Sequence, residues 1–380
     1  MKKDPITDSD FPWKIVCTGG GTGGHVYPGI AVAKELKHLY PRSSILFIGT
    51  EKGLETKIVP HEGFTVKTVR MHGFKNKGIV SRLRSLWLLP GAVWRAKSYL
   101  KAFQAQVVFG TGGYVSVPVL YAAYLLHLPT LTLEPNRQAG LANRLLAKSV
   151  DRIAVCFQES ALDFPEKKVV VTGNPIRKEF YLIGKTPPPD RGNTWNLLVL
   201  GGSLGSQSIN AAMIDALGEL KALRDQVVIS HQSGEADYQI VKRAYEEQGF
   251  HADVCAYISD VPKVYAKSHL VICRAGASTV AELQASRRPA ILIPYPHGDR
   301  HQERNAQALV DKGLSKMILQ EHLSGQSLAE AIQDYIKQPE EFAQVWSNHN
   351  ETHSLTASEK LVDLCLELAV KHIHRVAPDM

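Results

Sequence analysis

Short apolar runs alternate with helical patterns from one end of the chain to the other. The runs are rich in valine, isoleucine and leucine, and most of them end at a glycine, serine or arginine. This alternation predicts parallel β-strands joined by helices, an α/β fold whose ligands bind beyond the carboxyl ends of the strands. The predicted strands are KIVCTG, SILFIG, TVKTVRM, VVFG, TLTLE, RIAVC and KVVVTG in the first half, then NLLVLGG, QVVISHQ, ADVCAYI, LVICRAG and AILIPY in the second.

Two glycine-rich turns of the same design lie about half a chain apart, over residues 19–24 and 201–206. Each follows an apolar run and opens a helical pattern, so backbone N–H groups and the positive end of a helix point at one place, which suits phosphate. Two such turns indicate two nucleotide-fold halves facing a shared cleft. A third glycine turn, over residues 109–114, either adds a second cradle to the first half or permits tight strand–helix packing.

Composition places the chain among globular proteins long enough for two domains, with 380 residues, 44% of them hydrophobic and 21% charged. The net charge of +7 and the pI near 9.0 favour anionic partners, which could be nucleic acid, phosphorylated substrates or an anionic membrane surface. The five cysteines are odd in number and widely spaced, which indicates a reducing cytoplasm. The lysines at the N-terminus have no apolar segment behind them, so no secretory signal is expected.

One segment, residues 102–133, contains no Asp, Glu, Lys or Arg and resembles a membrane span at first sight. Three glycines and two prolines interrupt it, however, and divide it into a strand, a turn, a helix and a second strand. The segment is therefore predicted to be a fully buried β-α-β unit.

The first glycine turn also matches the GxGxxG pattern of dinucleotide-binding enzymes, through Gly19, Gly21 and Gly24. That pattern needs an acidic residue at the end of the second strand, and Glu51 comes one place late. Dinucleotide binding is therefore disfavoured. A histidine directly after the glycines is also unusual for such a turn. His25 begins the helix, so catalytic or substrate-binding use is favoured over a structural role.

The second half contains a further glycine turn at a predicted helix start, over residues 273–282. Its backbone amides suit phosphate, and Glu282 inside the helix suits ribose hydroxyls. On the next helix Asp299, Gln302 and Asn305 share a face that fits sugar hydroxyls.

No metal site is expected. His297 and His301 are four residues apart, but the preceding Pro-Tyr-Pro and the intervening glycine place His297 before the helix. Asp8 and Asp10 resemble a metal-binding carboxylate pair but lie ahead of the first strand.

The segment 71–97 mixes apolar and aromatic residues with lysines and arginines and contains no acidic residue. It is either a core helix with a solvated basic face or an interfacial contact with anionic lipid; nucleic acid ranks lower, because the bulky groups are Leu and Trp. The residues of this candidate membrane patch are Lys75, Lys77, Ile79, Arg82, Leu83, Arg84, Leu86, Trp87 and Trp94.

Taken together, the motifs resemble those of the MurG family, the bacterial peptidoglycan glycosyltransferases of family 28, in the family's order and over essentially the whole chain. The resemblance implies a GT-B fold, two Rossmann-like domains with parallel sheets facing a cleft. Residues 1–176, with a C-terminal helix over about 357–380, would bind the acceptor and associate with the membrane, and residues 177–356 would bind UDP-N-acetylglucosamine. The motifs are GGGTGGHVYPG, GTGGYVSVP, EPN, GNPIR, GGSLGSQSIN, HQSG, CRAGASTVAE and PHGDRHQERNA.

The resemblance also implies roles for individual residues. Ile258 would lie beside uracil, Glu282 would hold ribose, and Gln302 and Asn136 would contact the donor sugar. The diphosphate would meet Arg177, Ser203 and the turn at 277–279. The full donor set is Thr22, Gly23, Gly24, Asn136, Arg177, Ser203, Ile258, Ala277, Ser278, Thr279, Val280, Ala281, Glu282 and Gln302, and the acceptor set is Gly20, Gly21, Gly112, Gly113 and Tyr114, with Thr22, Gly23, Gly24 and His25 also on the acceptor side.

The implied reaction transfers N-acetylglucosamine with inversion to the muramyl 4-hydroxyl of lipid I, giving lipid II. The base is His25 or Glu134, and His25 is favoured because imidazole titrates near neutral pH. No cofactor or obligatory metal is implied. Two departures from the family's pattern are noted: Leu133-Glu134-Pro135-Asn136 in place of a common His-Glu-Gln-Asn, and Ser206 in place of a common alanine.

The implied partners are UDP-N-acetylglucosamine, lipid I, an anionic membrane surface and proteins of wall synthesis and division, but not nucleic acid. The implied location is the cytoplasmic face of the inner membrane, as a peripheral protein. The rival functions are another UDP-sugar enzyme, such as a lipid glycosyltransferase or a UDP-N-acetylglucosamine 2-epimerase, and a catalytically silent binding or scaffold protein.

Overall fold

A computed structural model describes residues 9–21, 23–71, 79–186, 192, 194–202, 204–296, 300–339 and 356–376, with the backbone alone for 79–86 and 376. The chain divides into two units. The first consists of Met1–Ile176 with His353–Met380, and the second of Arg177–Thr352.

The first unit is built on a parallel sheet of seven strands in the order β3-β2-β1-β4-β5-β6-β7. Its strands are β1 (Lys14–Thr18), β2 (Ser44–Thr50), β3 (Thr65–Val69), β4 (Val107–Gly110), β5 (Thr130–Glu134), β6 (Arg152–Val155) and β7 (Val169–Val171). Its helices are α1 (Gly23–Leu39), α2 (Glu55–His61), α3 (Ile79–Phe103), α4 (Ser116–Leu125), α5 (Leu141–Leu146) and, near the C-terminus, α13 (Ala357–Val376).

The second unit repeats this arrangement with six parallel strands in the order β10-β9-β8-β11-β12-β13. Its strands are β8 (Trp195–Leu200), β9 (Val227–Gln232), β10 (His251–Cys255), β11 (Leu270–Cys273), β12 (Ala290–Leu292) and β13 (Ser315–Met317). Its helices are α6 (Lys178–Lys185), α7 (Gln207–Glu219), α8 (Tyr238–Gln248), α9 (Val261–Lys267), α10 (Ala277–Ser286), α11 (His301–Val310) and α12 (Gly325–Lys337).

The strand order reverses once in each sheet, and the reversal places the glycine turns. In the first unit β1 pairs with both β2 and β4, so the turns after β1 and β4 flank one switch point. In the second unit β8 pairs with β9 and β11, so the turns at 201–206 and 274–276 flank the other. Ligands of doubly wound sheets bind at this position. The alternation in the sequence thus predicted the two parallel sheets, and the glycine turns lie at the switch points, where ligands are expected.

Apolar side chains cover both faces of the first sheet. One face packs against α3, α4 and α5, and the other against α1 and α13. Helix α13 buries Leu361, Val362, Cys365 and Leu366 in the cluster that contains Cys17 of β1. The charge-free segment forms β4, α4 and β5 as predicted, but the expectation that it is fully buried was wrong, because Tyr121, Tyr124 and Leu125 of α4 are exposed. Among the described residues no helix combines the length and the hydropathy needed to cross a bilayer.

Candidate active site

His25 lies in the first turn of α1, at the switch point of the first sheet. Its Nδ1 is 3.0 Å from the carbonyl oxygen of Thr111, in the turn after β4. Because a carbonyl only accepts, Nδ1 carries the proton and donates it, so Nε2 is the basic nitrogen of the neutral ring. The Thr111 hydroxyl donates in turn to the carbonyl of His25. Each of the two turns therefore donates one hydrogen bond to the other, through His25 and Thr111.

The glycines after β4 make room for the imidazole. Gly112 and Gly113 have φ angles of +89° and +78°, and a Cβ on either would lie within 3.4 Å of the His25 ring. A Cβ on Gly21 would approach the ring of Tyr114 at 3.3 Å. The structure thus brings together the predicted acceptor residues of both turns, including Gly20, whose carbonyl faces Gly113.

Glu134, at the end of β5, is only 1% exposed and accepts four hydrogen bonds. Its Oε1 accepts from the backbone N–H and the side-chain amide of Asn136, at 3.0 and 3.1 Å. Its Oε2 accepts from Gly140 N–H at 2.8 Å and from the amide of Asn143 at 2.9 Å. Burial raises the pKa of the Glu134 carboxyl, and the hydrogen bonds oppose that rise. This carboxylate holds the 135–143 segment in place, and Pro135 leaves each of these bonds intact.

In the second unit, Gln232 connects two of the predicted donor segments. Its side-chain amide donates to Gly202 of the glycine turn at 2.6 Å, and its Oε1 accepts from Ile258 N–H at 2.8 Å. Ile258 itself is 8% exposed. The sequence showed HQSG as a motif but gave no role to Gln232, because this connection depends on strands β8, β9 and β10 being neighbours.

A buried polar network supports the same strands. His231 contacts the hydroxyl of Tyr245 through Nδ1 at 2.9 Å and Asn210 Oδ1 through Nε2 at 3.0 Å. Burial lowers the pKa of His231 to about 3, so the ring is neutral. The Asn210 amide also donates to the carbonyl of Ser233 at 2.8 Å. Asn210 is the last residue of the motif GGSLGSQSIN, and His231 is the first residue of HQSG. Both residues stabilise the fold.

Arg274, directly after β11, connects the two turns of this switch point. Its Nη2 donates to the hydroxyls of Ser206 and Ser208, both at 2.7 Å, and its Nη1 donates to the carbonyls of Ile293 and Pro294. Burial lowers the pKa of Arg274 to about 10, which leaves it charged at neutral pH. Ser206, a departure from the family's alanine, is therefore a hydrogen-bond acceptor for this arginine.

Helix α10 begins at the turn predicted to bind the diphosphate. The N–H of Val280 already donates to the carbonyl of Gly276 at 2.9 Å, and the Val280 side chain is buried. The helix-terminal amides that remain are those of residues 277–279. Within the described part of the chain, the buried hydroxyl oxygen of Ser278 has no hydrogen-bond partner. Of the predicted residues, 277–279 have the better geometry for an anion, whereas Val280 belongs to the core.

Arg177 and Glu282, predicted for diphosphate and ribose, form an ion pair at 3.8 Å. Arg177 precedes α6, and its guanidinium also lies 5.2 Å from the ring centre of Phe180. Burial raises the pKa of Glu282 to about 7, and Arg177 partly opposes the rise. Both groups are partly exposed, with 31% and 18% of their side chains accessible.

Gln302 and Asn305 lie on α11, beside the turn after β11. Gln302 Oε1 accepts from Ala275 N–H at 3.2 Å and from Tyr295 N–H at 2.9 Å. A contact between Gln302 and the sugar of UDP-N-acetylglucosamine would therefore come from its Nε2 amide. Asn305 is 1% exposed, and its amide approaches the carbonyl of Ala275 at 3.5 Å. Gln302 and Asn305 lie three residues apart on this helix, but Asn305 points into the core, so its assignment to sugar hydroxyls was wrong.

Several predicted residues lie outside the described residues: Thr22, Ser203, Lys75, Lys77, Asp8, His297 and Asp299. In α3 the backbone alone is described at Ile79, Arg82, Leu83, Arg84 and Leu86. Trp87 and Trp94 are described and are 88% and 74% exposed. Glu51, the acid considered for a dinucleotide ribose, pairs with Arg70 at 3.2 Å on the surface. Among the described residues no group of three or more His, Cys, Asp or Glu is arranged to hold a metal.

Comparisons with known proteins agree with this arrangement. The N-terminal domain model of glycosyltransferase family 28 matches residues 15–155, and the C-terminal domain model of the same family matches residues 196–362. A relative from Myxococcus xanthus, named UDP-N-acetylglucosamine--N-acetylmuramyl-(pentapeptide) pyrophosphoryl-undecaprenol N-acetylglucosamine transferase, is 39% identical over 94% of each chain. The crystal structure of MurG from Acinetobacter baumannii superposes with a TM-score of 0.74, covering 94% of this chain and 100% of that one at 26% identity. The chain belongs to the MurG family, within glycosyltransferase family 28.

Membership of the MurG family confirms the resemblance drawn from the sequence motifs and the fold of two parallel-sheet, Rossmann-like domains. A 2-epimerase from Neisseria meningitidis, solved with UDP-GlcNAc, also superposes, with a TM-score of 0.64 over 93% of this chain and 100% of that one. At 15% identity that likeness concerns the fold alone.

Proposed function

We propose that this MurG-family protein transfers N-acetylglucosamine from UDP-N-acetylglucosamine to the 4-hydroxyl of the muramyl sugar of lipid I, giving lipid II and UDP. The observation that carries the proposal is the match over 94% of the chain to a relative that bears the name of this reaction. The acceptor belongs to the first unit and the nucleotide of the donor to the second. The reaction is a single displacement, so the α-linked donor gives a β-linked product.

His25 is the general base of the proposed reaction. As the muramyl oxygen attacks the anomeric carbon, its proton passes to Nε2, and the bond from the anomeric carbon to the diphosphate oxygen breaks. The hydrogen bond from Nδ1 to Thr111 orients the ring and stabilises the imidazolium that forms. The glycines of the turn after β4 let the ring lie against the backbone.

Glu134 is assigned a positioning role and not proton transfer. Both of its oxygens already accept two hydrogen bonds each from the 135–143 segment. A proton taken by this carboxylate would disrupt those bonds, because a protonated oxygen becomes a donor facing donors. Glu134 therefore positions Asn136, the residue expected to meet the donor sugar, and leaves proton transfer to His25.

The second unit stabilises the leaving group. Negative charge grows on the departing diphosphate, and the guanidinium of Arg177 and the amides at the start of α10 favour that charge more as it develops. The hydroxyl of Ser278, which has no partner among the residues that the structure describes, adds a donor at the same helix end. These groups supply the positive charge that a metal supplies in other sugar transferases, so the reaction is expected to persist in EDTA.

The first unit carries the proposed membrane surface, on the cytoplasmic face of the inner membrane. Helices α3, α4 and α5 pack on the same core cluster, and their outward side chains include seven large apolar ones. Exposed Arg95 and Lys148 lie on the same helices or next to them and suit anionic headgroups. The seven are Trp87, Trp94, Tyr121, Tyr124, Leu125, Leu141 and Leu145.

The test uses purified protein, labelled UDP-N-acetylglucosamine and a lipid I analogue, with EDTA present. Formation of a disaccharide product, identified by mass and by its β-linkage in NMR spectra, supports the proposal. Binding of the donor without any transfer would contradict it and favour a silent binding protein. Conversion of the donor to its 2-epimer would favour the epimerase class instead.

A further inference from the structure

Glu55, the first residue of α2, is a buried carboxylate that the proposed reaction does not use. It is 1% exposed and lies beneath the glycine turn that follows β1. Its Oε1 accepts from the N–H and the hydroxyl of Thr50, at 2.7 and 2.8 Å. Its Oε2 accepts from the N–H of Gly21 at 3.0 Å. All three bonds go to residues at the carboxyl ends of β1 and β2.

Three glycines form a cavity around this carboxylate. A Cβ on Gly20 or Gly53 would overlap the carboxylate group of Glu55, and a Cβ on Gly49 would overlap its Cγ. The three come from different segments, the turn after β1, strand β2 and the turn after β2. An acid that needs three glycines to fit and is fixed by three donors has a defined position, which distinguishes it from an incidental buried charge.

This contact changes what the first glycine turn can do. The N–H of Gly21 donates to Glu55, so it is not one of the amides that can receive a substrate phosphate. Gly21 has a φ of +89°, and two residues later the chain enters α1, whose third residue is His25. The carboxylate therefore fixes the turn immediately before the proposed base.

We infer that Glu55 is a positioning residue, which holds the turn after β1 through Gly21 and so sets where His25 stands relative to the acceptor. This inference rests on the proposed function for its kinetic consequence, although the contact itself does not. Geometry errors of about an ångström at a reacting group cost on the order of a hundredfold in rate. A partly relaxed turn is expected to cost about tenfold.

Glu55→Gln keeps the shape of the side chain but replaces one acceptor oxygen with an NH2 group, which faces either Gly21 N–H or Thr50. We expect kcat to fall about tenfold while the KM for UDP-N-acetylglucosamine stays within about twofold, because the residues proposed for uracil, ribose and diphosphate all belong to the second unit. The matched control is Glu51→Gln, an exposed acid just after β2 that pairs with Arg70. It should leave both constants unchanged. A folded Glu55→Gln protein with wild-type kcat would overturn the inference.

A second measurement needs no variant and no turnover. In 15N-labelled wild-type protein, the Gly21 amide should exchange with solvent much more slowly than that of Gly24, which is exposed. Equal exchange at the two glycines would overturn the inference even if Glu55→Gln fails to fold. If the wild-type protein shows a protected Gly21 amide but no transfer, the proposed reaction is contradicted and the contact is not.

Discussion

The guanidinium of Arg177 lies 3.8 Å from the carboxylate of Glu282, so two groups expected to bind different parts of one nucleotide also bind each other. The pair connects the residue before α6 to helix α10. Two effects act on Glu282 in opposite directions: burial disfavours its charged form, and Arg177 favours it. Burial dominates and raises the pKa to about 7, so the carboxyl of Glu282 titrates near neutral pH.

Donor affinity should therefore depend on pH. A carboxylate accepts from both ribose hydroxyls, whereas its protonated form is a poorer acceptor, so affinity for UDP-N-acetylglucosamine should fall as the pH drops below about 7. Calorimetric titrations between about pH 5.5 and 8.5 measure this directly. Glu282→Gln should bind weakly with a flat profile. Arg177→Gln should move the midpoint to higher pH, since it removes the group that lowers the pKa. A dissociation constant independent of pH in the wild-type protein would contradict the assignment.

Replacement of the proposed base should affect turnover and spare donor binding. His25→Asn retains a polar side chain but removes the proton acceptor, so kcat should fall by roughly a hundredfold to ten-thousandfold. Donor affinity, measured by calorimetry, should stay within about twofold. His38→Asn, an exposed histidine in the last turn of the same helix, is the matched control and should behave like wild type. An active His25→Asn protein would show that another group takes the proton.

Glu134 should behave as a positioning residue. In Glu134→Gln two of the four donors would face an NH2 group, which should lower the free energy of unfolding by about 2–4 kcal/mol and reduce kcat through a displaced Asn136. Transfer should remain measurable in this variant, because His25 is unchanged. Transfer that is abolished in a folded Glu134→Gln protein and retained in His25→Asn would reverse the two roles.

Each of the two serines beside Arg274 should compensate for the loss of the other as a hydrogen-bond acceptor. Ser206→Ala removes one acceptor, but Ser208 still accepts from the same nitrogen at 2.7 Å. The KM for the donor should therefore remain within about twofold. The double variant Ser206→Ala/Ser208→Ala leaves a partly buried guanidinium nitrogen without either acceptor and should destabilise the fold by about 1.5–3 kcal/mol. If the double variant loses only the sum of two small losses of unfolding free energy from the single variants, the two serines do not share the role of accepting from Arg274.

Binding to membranes should depend on the tryptophans of α3. Trp87→Ser/Trp94→Ser should reduce sedimentation with vesicles of anionic phospholipid by about tenfold, because each exposed ring loses its contact with the interface. The matched control is Leu182→Ser/Ile240→Ser, two exposed apolar residues of the second unit. Equal losses in both double variants would mean that the apolar surface of α3 has no special affinity for lipid.

The apolar alternation in the sequence was enough to predict twelve of the strands and the glycine turns at both switch points, because each strand is a local run that a turn interrupts. Strand β13 was missed. It spans only Ser315–Met317, and a three-residue segment with a lysine at its centre gives no such run.

Contacts between distant segments were not predictable in the same way. Glu55 is 34 residues from Gly21, and their contact exists only because β1 and β2 are neighbours. The helical spacing of Gln302 and Asn305 correctly placed them on one face, but spacing alone does not say which part of that face is buried. The choice between His25 and Glu134 likewise needed the hydrogen bonds of the folded chain.

The first measurement to make is the release of UDP from UDP-N-acetylglucosamine, with and without a lipid I analogue. UDP should be released only when the acceptor is present, in equal amount to the disaccharide formed, and this release should be lost in His25→Asn. UDP release or epimer formation at the same rate without the acceptor would contradict the proposed transfer, because the lipid-linked sugar would then have no part in the reaction.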